Sequence, residues 1–156
     1  MTDRYLPPSD FLNAIIAEDV PLSGGALADA NLQLLMAMTA DDDAANRDWA
    51  TMLLAQQNID TPQVREALLR SAHDADENVR SEAILGLAQR DPVIALPLIR
   101  EALAQDSVQL GIFEAAEIIA SPELVALLLP FSKPGKDQSI DEQVLRALEA
   151  CRACKD

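Results

Sequence analysis

Apolar positions recur along this chain at helical spacing and in a repeated frame. Between residues 62 and 72, Val64, Leu68, Leu69 and Ala72 fall on one stripe, with Gln63, Glu66 and Arg70 elsewhere. A second frame is opened by Asn46, Val79, Val108 and Ile140. One turn on come Ala50, Ala83, Ile112 and Val144, and a turn further Leu54, Leu87, Ala116 and Leu148. Spacing of i, i+4, i+8 marks one face of a helix. The chain also places a helix-capping residue every thirty positions, at Asn31, Thr61, Asp91 and Ser121, the last three each followed by proline. Short oxygen-bearing side chains satisfy the orphan N–H groups at a helix start, and proline at the next position loses no helical bond. First helices are therefore expected near 31–39, 62–72, 92–104 and 122–129, each followed by a second helix. A period of this length marks stacked helix pairs. The pattern predicts an all-α fold, a right-handed α-solenoid of about four helix pairs in a single domain, with repeats at 30–60, 61–90, 91–120 and 121–156.

Residues 1–29 form a lead-in. A short amphipathic helix from Asp10 to Ile16 follows Pro7-Pro8-Ser9 and is ended by Pro21 and the Ser23-Gly24-Gly25 turn. Its expected role is to cap the open end of the first repeat. Second helices are 29 to 33 residues apart, so the length variation sits in the turns. The fourth turn, Pro130 to Asp137, is the most irregular and carries Lys133 and Lys136, an exposed, mobile loop by expectation.

The stretch Asp74-Ala75-Asp76-Glu77-Asn78-Val79-Arg80-Ser81-Glu82-Ala83 resembles the Asp…Val-Arg…Ala signature of HEAT-like repeats of the type named after phycobilisome lyases. Asn46-Arg47-Asp48-Trp49-Ala50 and Asp60-Thr61-Pro62-Gln63-Val64-Arg65 read the same way. The likeness is good over about 30–122 and loose over 123–152. An aspartate precedes an arginine by six positions twice, Asp41 to Arg47 and Asp74 to Arg80, whereas Gln109 and Asp141 stand where the later arginines would be. The resemblance implies an Asp/Arg ladder between repeats that weakens toward the C-terminus. It implies a fold and is nearly silent on activity.

Composition sharpens this picture. Hydrophobic residues make up 49% and aromatics 3%, so the core is built of Leu, Ala, Ile and Val. Acidic residues number 26 against 12 basic, a net charge of −14. Such a surface repels phosphate backbones and anionic bilayers, which argues against nucleic-acid and membrane partners and for a basic one. The absence of an apolar stretch behind a basic start in residues 1–10, and two cysteines only three apart, lead us to expect a reducing cytoplasm.

Candidate chemistry is sparse. Asp74, Asp76 and Asn78 mimic the first ligands of a calcium loop, but Val79 replaces its glycine and Leu85 its final glutamate. Asp41-Asp42-Asp43 reads as a capping turn. Cys151 and Cys154 form a CxxC at a helix C-terminus, where the dipole opposes thiolate formation, and are expected as ordinary thiols of a frayed tail. His73 is the only histidine, and no nucleophile elbow or phosphate-cradling loop is present. We expect no catalytic residue, metal or cofactor. Arg47 and Arg80 are expected to bond the aspartates and carbonyls of adjoining turns. The candidate partner-binding residues, along a concave face lined by second helices, are Arg47, Trp49, Arg80, Glu82, Glu114 and Gln143. Trp49 has an alternative place, folded over the capping helix. The function expected is a non-catalytic scaffold that binds an unidentified protein or peptide as a monomer or weak homo-oligomer. The resemblance also implies an alternative, a phycobilin-lyase-like factor acting on a tetrapyrrole or its carrier protein.

Overall fold

In the computed structural model, residues 5–135 and 137–153 are described, and every regular element among them is helical. In chain order these are α1 (Asp10–Ile16), α2 (Ala26–Met38), α3 (Ala44–Gln56), α4 (Pro62–Ser71), α5 (Glu77–Arg90), α6 (Pro92–Leu103), α7 (Leu110–Ile119), α8 (Val125–Leu128) and α9 (Gln138–Ala153). They gather into two compact units, Met1–Ala83 and Ile84–Asp156, with the division inside α5.

In the first unit α3 is central, with α1, α2 and α4 against it. The predicted second-helix frame is the core: Ala50, Leu54 and Val79 are inaccessible, joined by Leu12, Leu35, Val64 and Leu68. Asn46 is the exception to the frame's apolar character. It is buried, and its amide holds three segments together. The oxygen accepts the Ser9 N–H at 3.0 Å, the nitrogen donates to Asp41 Oδ2 at 3.0 Å, and its backbone N–H is capped by Asp43.

The second unit places α7 against α6 and α9, with α8 against α9. Ile112, Ala116, Val144 and Leu148 are buried as their frame predicts. Phe113 is the largest buried side chain, edge-on to Phe131 with centroids 5.2 Å apart. Pro97 lies inside α6, where it withdraws an N–H from the Val93 carbonyl. Val93 is 82% exposed, so water can take that carbonyl.

Several expectations need correction. Asn31 does not cap a helix. Gly25, at φ 142°, precedes α2, and Asn31 sits a turn and a half in, donating to the Pro21 carbonyl at 2.9 Å. Gly24 and Gly25 both take positive φ, which is why the turn needs glycines. Thr61 and Asp91 do cap, accepting from the Val64 and Ile94 N–H groups, whereas Ser121 makes no capping bond. Val108 precedes α7 and does not open it. The helix expected at 122–129 is broken into a 3-10 turn (Pro122–Leu124), the short α8, and a second 3-10 turn (Leu129–Phe131). Pro130 has no N–H with which to continue it. Cys151 is not part of a frayed tail. It is fully buried on α9, with its thiol 3.7 Å from the Ala116 carbonyl of α7. Cys154 and Lys136 lie outside the described residues.

The caps differ in a measurable way. Thr61→Ala should lower stability by about 1 kcal/mol in a urea titration, and Ser121→Ala by less than about 0.5 kcal/mol. Equal losses would contradict the cap geometry.

Candidate functional site

The turns before α3 and α5 are built on arginine. Arg47 donates from Nε to Asp74 Oδ2 at 2.9 Å and from Nη2 to Asp74 Oδ1 at 3.3 Å, while Nη1 reaches the Asp41 and Asp42 carbonyls at 3.0 and 3.2 Å. Arg80 repeats half of this, donating from Nη1 to the Asp74 and Ala75 carbonyls at 2.8 and 3.0 Å. The side chain of Arg47 is 19% exposed and that of Asp74 12%. A planar fork on a carboxylate, with further bonds to carbonyls, is the geometry that makes arginine hard to replace. Both arginines therefore serve the turns, as the six-residue spacing leads one to expect, and offer little to a partner. Asp74 also accepts the Asp76 N–H, and Asp76 caps α5 through the Asn78 N–H, so both carboxylates have structural duties. His73 is exposed, its Nδ1–H donated to the Leu69 carbonyl at 3.0 Å. Among the described residues no group of three or more His, Cys, Asp or Glu side chains is arranged to hold a metal.

The aromatic part of the site lies on the next face of α3. Trp49 is half-buried and stacks on Tyr5, with centroids 6.0 Å apart and planes at 26°. The ring thus lies on the segment ahead of α1, and its edge borders Ile15 and Ile16 of the capping helix. Its Nε1–H is buried and has no acceptor among the described residues. A buried donor left unpaired carries a desolvation cost of about 1–3 kcal/mol. Carboxylates surround the pair. The Tyr5 hydroxyl is pushed up in pKa, first by partial burial and then by Asp48, Asp76 and Asp43. Asp48 is half-buried and its own pKa is raised, by burial and by the charge of Asp76.

Trp49 also borders a groove of about 490 Å³ between α1, α3 and the 17–25 loop. Ile15, Ile16, Val20, Leu22, Met52 and Leu53 line it together with Glu18, Ser23, Gln56 and Gln57, a mixed polar and apolar surface. Glu18 holds φ 60°, a left-handed backbone conformation uncommon outside glycine, asparagine and aspartate. The groove was not legible in the sequence, because the spacing of Trp49, Met52, Leu53 and Gln56 reads only as a helix face until the loop folds over it.

Of the other candidates, Glu82 is half-buried on α5 and Glu114 half-buried on α7. Gln143 is a correction. It is 4% exposed, its amide donates to Glu117 Oε2, and its oxygen accepts from Arg146 Nη2 at 2.6 Å. Expected on a partner-binding face, its amide is instead engaged inside the second unit.

Arg47→Ala should cost about 2 kcal/mol and Arg80→Ala about 1 kcal/mol, because only the first strands a carboxylate. Equal melting temperatures for the two variants would refute the asymmetry. The sign of the Asp48 effect can be worked out. Its folded pKa lies above its ordinary value of 3.8, so the native state holds its proton more tightly than the unfolded one. Stability from this group rises as pH falls toward 3.8 and is lost above the raised pKa. Asp41 acts oppositely: its pKa is lowered by the Asn46 amide and the Asp43 N–H, and its contribution is lost below 3.8. Asp48→Asn should melt higher than wild type at pH 7 and show a flatter pH profile above 3.8. A lower melting temperature at pH 7 would contradict this.

Comparison with known proteins agrees with the helix-pair architecture. A family model described as HEAT repeats matches residues 31–120. Protein YibA of Escherichia coli K12 is 28% identical over 99 residues, covering 64% of this chain and 35% of YibA, and the O157:H7 protein matches equally. The X-ray structure of E. coli YibA superposes with a TM-score of 0.61 at 20% identity, covering 88% of this chain and 54% of that one. At that identity the likeness concerns the fold alone, and the chain spans about a third of the length of these curated relatives. No helix among the described residues is long and apolar enough to cross a membrane. With the family model over more than half its length and helices throughout, the chain belongs to the HEAT-repeat family, an all-α solenoid fold.

Proposed function

We propose that this chain is a non-catalytic protein-interaction scaffold, binding a protein or peptide on the concave face of its repeats. The observation that carries the reading is Trp49, an aromatic held half-buried beside carboxylates with its indole N–H lacking an acceptor among the described residues. Tryptophan is over-represented among the residues that dominate interfaces, and the ring of Trp49 keeps part of its surface open. Asp48, its pKa raised by burial and by the charge of Asp76, supports the same reading, since neighbouring carboxylates are offset by a basic partner. Arg47 and Arg80 act as the frame that positions α3 and α5, leaving Trp49 and Glu82 as the contacts proposed for the first unit and Glu114 for the second. The phycobilin-lyase-like alternative draws less support, because a tetrapyrrole bears carboxylates and residues 1–83 hold 15 acidic side chains against five arginines.

Affinity capture from native lysate with wild type and with a Trp49→Ala, Glu82→Lys variant tests the proposal. A protein retained by wild type and lost by the variant, with the variant's melting temperature within a few degrees, is the expected result. Identical captures by the two chains would remove this face from consideration. A visible absorption change on adding a bilin would revive the lyase-like alternative.

A further inference from the structure

An apolar stripe on α2 is left open among the described residues. Leu27, Ala30, Leu34 and Ala37 follow one another at spacings of three, four and three, which is one face of a helix. All four are exposed, Leu27 by 68% and Leu34 by 45%, while Ala28, Leu35 and Met36 are turned to the core. The capping helix α1 lies against α3 and leaves this stripe uncovered. The first helix of the next pair, α4, exposes Gln63, Glu66 and Arg70 instead. Residues 26–40 contain a single charged side chain, Asp29, in a chain of net charge −14. Asp29 stands two positions past Leu27, nearly on the far side of the helix from it.

We propose that this stripe pairs with the same stripe of a second copy of the chain, antiparallel, about a two-fold axis level with position 32. The pattern is its own complement. Spacings of three, four and three read the same in both directions, so reversal sets Leu27 against Ala37 of the second copy and Ala30 against its Leu34. Each large side chain meets a small one, which lets the two helices approach closely and interdigitate. A two-fold contact uses one patch twice and demands this self-complementarity. Charge points to the same occupant. Two copies that each carry −14 repel one another and meet at least cost where the surface is uncharged. The stripe itself offers no carboxylate to a basic partner and no cation to an acidic one. With 13 residues, α2 is about 20 Å long, so alone it makes a contact smaller than the ~1,200 Å² of stable interfaces. The dimer is therefore weak and reversible. The inference stands apart from the scaffold reading, since neither Trp49 nor Glu82 lies on α2.

Sedimentation equilibrium of the full chain, kept reduced, tests this between about 10 µM and 1 mM, the range of weak reversible contacts. A monomer–dimer equilibrium is expected, and it should tighten as salt is raised, because screening relieves the repulsion between copies. Leu34→Glu puts charge into the contact and should weaken dimerisation by about tenfold or more. Ala30→Leu should weaken it too, by setting two leucines against each other. The double variant Ala30→Leu, Leu34→Ala restores large against small and should return to within about threefold of wild type. Both positions are exposed, and a melt confirms that each variant is folded. A chain still monomeric at about 1 mM would overturn the inference. So would a dimer indifferent to Leu34→Glu, one loosened by salt, or assemblies larger than a dimer. A double variant no better than Ala30→Leu alone would equally overturn it. The lysate capture with the Trp49 and Glu82 variant judges the scaffold separately.

Discussion

The fork of Arg47 on Asp74 is the interaction on which the first unit depends. It joins the turn before α3 to the turn before α5, and the same guanidinium closes the Asp41 and Asp42 carbonyls. Turns of this kind expose backbone oxygens that a short loop cannot satisfy by itself. One arginine supplies donors for both turns at once. With the turns fixed, α3 is held at the angle that buries Ala50 and Leu54 on one side and leaves Trp49 and Asp48 on another. The carboxylates of Asp43 and Asp76 then cap the helices that follow, so the acidity of these turns is partly structural.

At the corresponding positions the second unit carries Gln109 and Asp141 in place of arginine. It is held by a different chemistry. Phe113 and Phe131 meet edge to face, Cys151 packs against α7, and Gln143 links Glu117 to Arg146. Asp141 accepts the Gly135 N–H through both carboxylate oxygens, at 3.1 and 2.9 Å, closing the turn that precedes α9. A carboxylate on a backbone amide does there what an arginine on backbone carbonyls does in the first unit.

Helix existence and the two-turn core of each second helix were legible, because a 3.6-residue period writes burial directly into residue type. The Arg/Asp spacing was legible for the same reason, being set by one turn. What escaped depended on neighbours distant in sequence. Asn31 has the chemistry of a cap, but the choice between capping and reaching Pro21 is made by where the 17–25 loop lies. Gln143 looks like surface until Glu117 and Arg146 are brought to it. Cys151 is polar enough for a tail and apolar enough for a core, and only the approach of α7 decides. The groove is the extreme case, since it is made by a loop with no periodicity.

Asn46 gives the first helix pair an address. Where the next pair has Val79, wholly apolar and indifferent to sequence context, this one carries an amide whose bonds to Ser9 and Asp41 exist at one place in the chain. Repeat units are often treated as interchangeable modules, added or removed like links. Here a duplicate of α2 and α3 inserted later in the chain would bury an amide with no Ser9 to meet it. Extension or shortening of the stack is thus free only downstream of this pair, unless position 46 is first made aliphatic and the tie to α1 given up.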